Sequence, residues 1–182
     1  MDMTITPIPG ATFGATVAHL ELAGVTHRVK SDLREALREA HGLLCFRFHR
    51  LLSGDELHAL TSVFGDSEYG PGVINGLGKQ AAPGEHNRSV EEQLAEVRAR
   101  GEDPFIVKFG NENPDTGKTE SVDSSFYADW DWHTDMSYVE VPPTYSLLHA
   151  RRVPHDGGDT GFCDQVAAAA ELPAELHRRA LE

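Results

Sequence analysis

The sequence predicts one globular domain that is mainly β with flanking helices. A chain of 182 residues is long enough to bury one core and short for two domains. Short apolar segments bounded by glycine and proline predict strands, whereas apolar residues spaced three and four apart behind capping residues predict helices. Because both patterns recur along the chain, we expect a single domain that spans residues 1–182.

The strand predictions come from short apolar segments. Residues 4–24 alternate weakly between apolar and polar positions and contain several glycines and prolines, which predicts short strands joined by turns. Further strands are predicted at 43–48, 105–109, 132–135 and 145–151.

The helix predictions rest on capping boxes, in which an N-cap residue is followed by an acidic residue three positions later. The pairs are Asp32 with Glu35, Ser53 with Glu56, and Ser89 with Glu92. Glycines at 42, 65 and 101 are expected to close these helices. Later helices are predicted at 167–170 and, with Pro173 at the first helical position, through 181.

Two irregular regions, 66–88 and 110–131, are rich in turn-forming residues and lie on either side of the charged helix 89–100. Together they predict a lid or insert over 78–128 that orders when substrate binds.

Charge and cysteine content limit the possible partners and compartment. A net charge of −13 argues against nucleic acid or an anionic membrane as a partner, but it does not exclude small acidic substrates. Cys45 and Cys163 lie in apolar segments and are predicted to be buried free thiols in a reducing compartment. The N-terminus lacks the features of a secretory signal, so we expect a cytoplasmic protein.

The segment from Trp132 to Asp135 contains the pattern His-x-Asp. In a strand, residues two apart point to the same face, so His133 and Asp135 can reach one metal ion together. A His and a carboxylate, joined by a second His, form the facial arrangement that holds non-haem Fe(II) and leaves positions open. The pattern alone is weak, since an ordinary hydrogen-bonded pair would show it too.

Three segments in order give the pattern its context: Trp132–Asp135, Pro142-Pro143 and Gly157-Gly158-Asp159-Thr160. With ITPIPGATFGATV near the start and GLLCFRF after the first helix, they resemble the Fe(II)/2-oxoglutarate-dependent dioxygenases of the TauD/TfdA family. The resemblance implies a double-stranded β-helix (jelly-roll, cupin-like) core, with Fe(II), O2 and 2-oxoglutarate as reactants. It also implies that His133 and Asp135 bind iron and that Thr160 contacts 2-oxoglutarate. The alternative for Thr160 is a turn hydroxyl that bonds to local backbone.

The sequence departs from the family at its C-terminal end. The distal His and the Arg that anchors 2-oxoglutarate are not found in 165–182, and His177 is expected to be a surface residue on a helix. The chain therefore resembles the N-terminal part of such an enzyme, with an incomplete β-helix. Three alternatives follow: a catalytically incomplete fragment or pseudo-enzyme, a site completed by another chain such as a second copy, and a metal-binding jelly-roll module without oxygenase activity.

Further departures concern the substrate. Taurine-cleaving members place a His and a Tyr where Gly70 and Val73 stand here, and an Asn where Asp129 stands. An acidic residue there disfavours a sulfonate, although Asp129 could equally be a solvated loop carboxylate. Tyr127 is a further candidate to line the pocket. We expect the substrate to be a small organic acid other than taurine.

Overall fold

The structure, a computed structural model, describes residues 2–69, 89–107, 132–137 and 139–181. The chain divides into two compact units, Met1–Phe64 with Leu147–Glu182 and Gly65–Ser146. The single domain over 1–182 stays a prediction. So does the lid over 78–128, most of which lies outside the described residues.

The first unit contains a three-stranded sheet in the order β1-β2-β3, formed by Thr4–Pro7, Ala15–Ala18 and Leu44–Arg47. β1 runs antiparallel to β2, and β2 runs parallel to β3, with Val17 opposite both Ile5 and Phe46. The short strands predicted within residues 4–24 are confirmed, and so is the strand predicted at 43–48.

Helix α1 (His27–Glu39) lies between β2 and β3 and begins six residues earlier than the Asp32 capping box predicted. Thr26 is the actual N-cap, and its hydroxyl accepts a hydrogen bond from the Val29 amide at 3.3 Å. The earlier start has a packing reason, because Val29 contacts the core in line with Leu33 and extends the apolar stripe. The helix closes at Gly42 as predicted: its amide donates to the Leu37 carbonyl at 2.8 Å and its φ is 89°.

The core of the first unit lies between the sheet, α1 and helix α2 (Gly54–Thr61). Its buried members are Val17, Leu20, Leu33, Leu52, Leu60 and Val63. Leu33 and Val63 are fully buried. Phe64 follows the end of α2 and packs against the same cluster, so its predicted inward position is confirmed although the helix ends at Thr61.

Helix α2 begins with the predicted capping box. The Ser53 hydroxyl accepts from the Glu56 amide at 3.2 Å, and the Glu56 carboxylate accepts from the Ser53 amide at 2.9 Å. The same carboxylate binds both terminal nitrogens of Arg50. Hydrogen bonds from the Arg50 guanidinium and then from the Ser53 amide lower the pKa of Glu56 to about 2.

The lowered pKa of Glu56 predicts a pH-dependent contribution to stability. In the unfolded chain this carboxyl titrates near its ordinary value of 4.5, so its contribution is complete above that pH and is lost as the pH falls towards about 2. Glu56→Gln keeps an acceptor for the Ser53 amide and removes the charge. Urea unfolding should show a deficit for this variant at pH 6 that shrinks steadily below pH 4.5.

Glu35→Gln is the matched control for that experiment. Glu35 pairs with Arg38 one turn along α1 at 3.5 Å, and both side chains are largely exposed. Such pairs contribute little, so this variant should match the parent at every pH. A Glu56→Gln deficit of the same size at pH 6 and at pH 2.5 would contradict the assigned cause.

The second unit contains helix α3 (Val90–Ala99), which begins with the predicted capping box of Ser89 and Glu92. Leu94 is its buried residue, and most of its other positions are exposed, as the charge pattern predicted. The predicted strand at 105–109 is wrong over its described part, 105–107, which has no strand geometry. There the Phe105 ring stacks on Tyr69 with centroids 5.0 Å apart.

The C-terminal tract 150–181 returns to the first unit and is almost wholly exposed. It contains the short helices α4 (Gln165–Ala170) and α5 (Ala174–Ala180), with Pro173 at the N-cap rather than at the first helical position. The predicted strand at 145–151 is wrong, because these residues do not join the sheet. Both cysteines are free, but Cys163 is exposed and Cys45 only partly buried, which corrects the prediction of buried thiols.

The sheet and its flanking helices are consistent with part of a mainly β fold. Among the described residues, no helix is both long enough and apolar enough to cross a membrane.

Candidate metal centre

His133 and Asp135 lie side by side in the second unit. The His133 Nε2 atom is 3.5 Å from the Asp135 Oδ1 atom, and the side chains are 59% and 62% exposed. The predicted strand at 132–135 is wrong: residues 132–134 have no regular structure and a turn begins at Asp135. The two side chains nevertheless meet without strand geometry.

A turn begins at Asp135, directly after His133 and Thr134. Met136 adopts a φ of 54°, in the left-handed region, and its carbonyl accepts a hydrogen bond from the Val139 amide at 3.1 Å. Trp132 is 69% exposed, and Met136 is partly buried. Tyr138 lies outside the described residues.

The donor set fits a borderline divalent metal in part. Two ligands in neighbouring octahedral positions, each about 2.1 Å from the metal, stand about 3 Å apart. The observed 3.5 Å is close to that spacing, and an imidazole with a carboxylate is a combination that Fe(II) accepts. Among residues 2–69, 89–107, 132–137 and 139–181, however, no third His, Cys, Asp or Glu joins them. The described residues thus supply two of the three protein ligands that such a site uses.

Thr160 lies in the first unit, shortly after a glycine turn. Gly157 and Gly158 have φ values of 72° and 73°, a conformation that favours glycine. A Cβ on Gly158 would stand 2.8 Å from the Cγ atom of Pro154, so the turn also leaves no room there for a side chain. The Thr160 side chain is exposed, and contact with 2-oxoglutarate stays a prediction.

Asp164 follows this segment and uses both carboxylate oxygens. Its Oδ1 atom accepts hydrogen bonds from the Val166 and Ala167 amides, both at 3.0 Å, which caps α4. Its Oδ2 atom lies 2.8 Å from the Nδ1 atom of His41. The bond from the Ala167 amide, followed by that from His41, lowers the pKa of Asp164.

Sequence reasoning missed the pair formed by His41 and Asp164. An Asp directly before a helix is a recognisable N-cap signal, so Asp164 could have been found. No local pattern points to His41, which is 123 residues away in sequence.

His149 was missed as well. Its Nε2 atom accepts from the Leu52 amide at 3.4 Å, which places the proton of the neutral ring on Nδ1. The buried Nδ1 atom has no hydrogen-bond partner among the described residues.

Four predicted substrate positions, Asp129, Tyr127, Gly70 and Val73, lie outside the described residues. His177 stands on α5 and is exposed, as expected of a surface residue.

A His–carboxylate pair near metal-ligand spacing defines this chain as a candidate metal-dependent protein. The chain also matches the family described as "Taurine catabolism dioxygenase TauD, TfdA family" over residues 4–182. It belongs to that family, and several of its curated relatives are named as α-ketoglutarate-dependent dioxygenases. The family prediction is confirmed, and the family implies 2-oxoglutarate and O2 as reactants, generally with iron.

Several curated relatives are similar to this chain. Pentalenolactone F synthase from Streptomyces avermitilis is 30% identical over 180 residues, which cover 97% of this chain and 50% of the relative. The α-ketoglutarate-dependent 2,4-dichlorophenoxyacetate dioxygenase from Cupriavidus pinatubonensis is 49% identical over 45 residues, which cover 25% of this chain and 16% of the relative. The α-ketoglutarate-dependent sulfate ester dioxygenase from Pseudomonas putida is 43% identical over 49 residues, which cover 27% and 16% of the two chains.

The chain spans about half the length of the two pentalenolactone F synthases, and the alignments with them cover 97% of the chain. No solved structure shows a significant match to it.

Proposed function

We propose that the complete protein oxidises a small organic acid with Fe(II), O2 and 2-oxoglutarate. The observation that carries the proposal is the His133–Asp135 pair, 3.5 Å apart, within a chain that matches the TauD/TfdA family over 4–182. The reaction balances as substrate C–H plus 2-oxoglutarate plus O2, giving substrate C–OH plus succinate plus CO2. A double-stranded β-helix core, to which the three-stranded sheet would contribute, belongs to the same proposal.

Each residue has a distinct role in this proposal. His133 Nε2 and an oxygen of Asp135 hold the iron, which supplies the redox chemistry when bound. The Thr160 hydroxyl donates a hydrogen bond to a carboxylate of 2-oxoglutarate. The third iron ligand and the cation that pairs with the co-substrate come from outside the described residues.

The substrate class is supported by residue types and by the relatives. Gly70, Val73 and Asp129 replace the polar side chains that taurine-cleaving members use, so we propose a substrate other than taurine. One named relative acts on 2,4-dichlorophenoxyacetate, which is a small carboxylic acid. A cytoplasmic location remains a prediction.

The proposal is tested by succinate formation in the complete protein. Succinate should form only when Fe(II), O2 and 2-oxoglutarate are all present, and a panel of small carboxylic acids should contain members that increase its rate while taurine does not. Iron binding without any consumption of 2-oxoglutarate would instead favour a metal-binding jelly-roll module. Iron binding seen only in an oligomer would favour a site completed by a second chain.

A further inference from the structure

The C-terminal tract contacts the rest of its unit through one notable side chain. Across 150–181, every residue is exposed except Asp164, whose side chain is only 14% exposed. The tract contains Thr160 four positions before Asp164. Whatever fixes Asp164 therefore also limits where Thr160 can lie.

Asp164 is held from two sides. One oxygen caps α4, and the other contacts His41, the second residue after the end of α1. The anionic Asp164 carboxylate at the start of α4 matches the partial positive charge of that helix end. The contact thus joins the start of α4 to the turn that follows α1.

The position of His41 is itself determined by the backbone. His41 has a φ of 52° and its amide donates to the Arg38 carbonyl at 3.2 Å, within the turn that Gly42 closes. This turn connects α1 to β3, so these two elements determine the position of the His41 imidazole. Upstream of Thr160, Gly157 and Gly158 form a turn with positive φ values, and Pro154 lies close to Gly158. Thr160 thus lies between this turn and Asp164.

We propose that the His41–Asp164 contact is a positioning pair for the co-substrate. By holding the start of α4 against the end of α1, it sets the place of Thr160, so breaking it weakens 2-oxoglutarate binding although neither residue touches the co-substrate. This inference rests on the function proposed above.

Two single variants break the contact while leaving the local backbone satisfied. Asp164→Ser keeps an N-cap oxygen for α4 but is too short to reach His41. His41→Gly tolerates the positive φ of this position and removes the whole side chain, including the Nδ1 atom that contacts Asp164. In the complete protein, each should raise the KM for 2-oxoglutarate about tenfold, as loss of a supporting contact commonly does, with little change in kcat.

The double variant distinguishes a pair from two independent effects. Because both substitutions remove the same contact, the KM of the double variant should equal that of the single variants. Glu175→Gln, in the exposed pair with Arg178 on α5, is the control and should leave KM unchanged.

Amide hydrogen exchange gives a second readout that does not require turnover. In His41→Gly the cap of α4 is intact, so faster exchange at Val166 and Ala167 would show that His41 holds the helix start. Unchanged exchange would overturn the inference. Faster exchange with an unchanged KM would also overturn it, and so would a double variant in which the two effects on KM multiply. A complete protein that never consumes 2-oxoglutarate would overturn the proposed function and this inference together, whereas the exchange result would still report on the contact.

Discussion

His133→Ala should abolish iron-dependent consumption of 2-oxoglutarate in the complete protein. The imidazole is one of two candidate ligands in the described residues, and alanine offers no donor atom in its place. A metal left with one fewer protein ligand is lost or held in the wrong geometry, so we expect turnover to fall by at least about 100-fold. Succinate formation and bound iron per protein chain should be measured on the same samples.

His177→Ala is the matched control, because it removes an imidazole from the exposed face of α5. It should keep both the bound iron and the turnover of the parent protein. If His133→Ala retained full turnover, the assignment of His133 as an iron ligand would be wrong. If it kept its iron but lost turnover, His133 would act on substrate rather than on the metal.

Leu33→Ala should produce the largest loss of stability among simple substitutions in the first unit. Leu33 has 0% exposure and lies in α1 against the core that includes Val17 and Leu60. Removing its branched end loses buried apolar contact and leaves a cavity, which costs about 3 kcal/mol. The free energy of unfolding from urea titration, followed by far-UV circular dichroism, measures the effect.

Leu51→Ala tests whether burial is the cause. Leu51 is 51% exposed, although its neighbour Leu52 is in the core, and its truncation should cost less than about 0.5 kcal/mol. Leu33→Met keeps the volume and should cost less than about 1.5 kcal/mol, which provides a folded variant should the alanine protein be too unstable to study. Equal losses for Leu33→Ala and Leu51→Ala would contradict the described core.

The sequence predicts helices best where the signal is local. Ser53 and Ser89 begin helices as their capping boxes indicate, because an N-cap bond involves residues only three positions apart. The capping pattern at Asp32 predicted the wrong helix start. The pattern is present, but the contact of Val29 with the core extends the helix back to its N-cap, Thr26. Tertiary packing overrides the local signal there.

Strands and long-range pairs are harder to predict. The apolar runs at 105–107 and 145–151 have the composition of strands, yet a strand also needs a partner that the run itself does not specify. The proximity of His133 and Asp135 was foreseen from their spacing, whereas the contact of His41 with Asp164 depends on the fold.

The arrangement of the core has a consequence for the time course of synthesis. Of the buried apolar residues in the described part of the chain, all but Leu94 fall between Ala15 and Val63, and α1 lies in the connection between the parallel strands β2 and β3. Contacts this close in sequence form quickly, within microseconds to seconds. A ribosome adding about 5–20 residues per second needs on the order of ten seconds to make the part of the chain after Phe64. We therefore expect the core of the first unit to close while the segment with Thr160 and Asp164 is still being made, so that Asp164 docks on a His41 already in place.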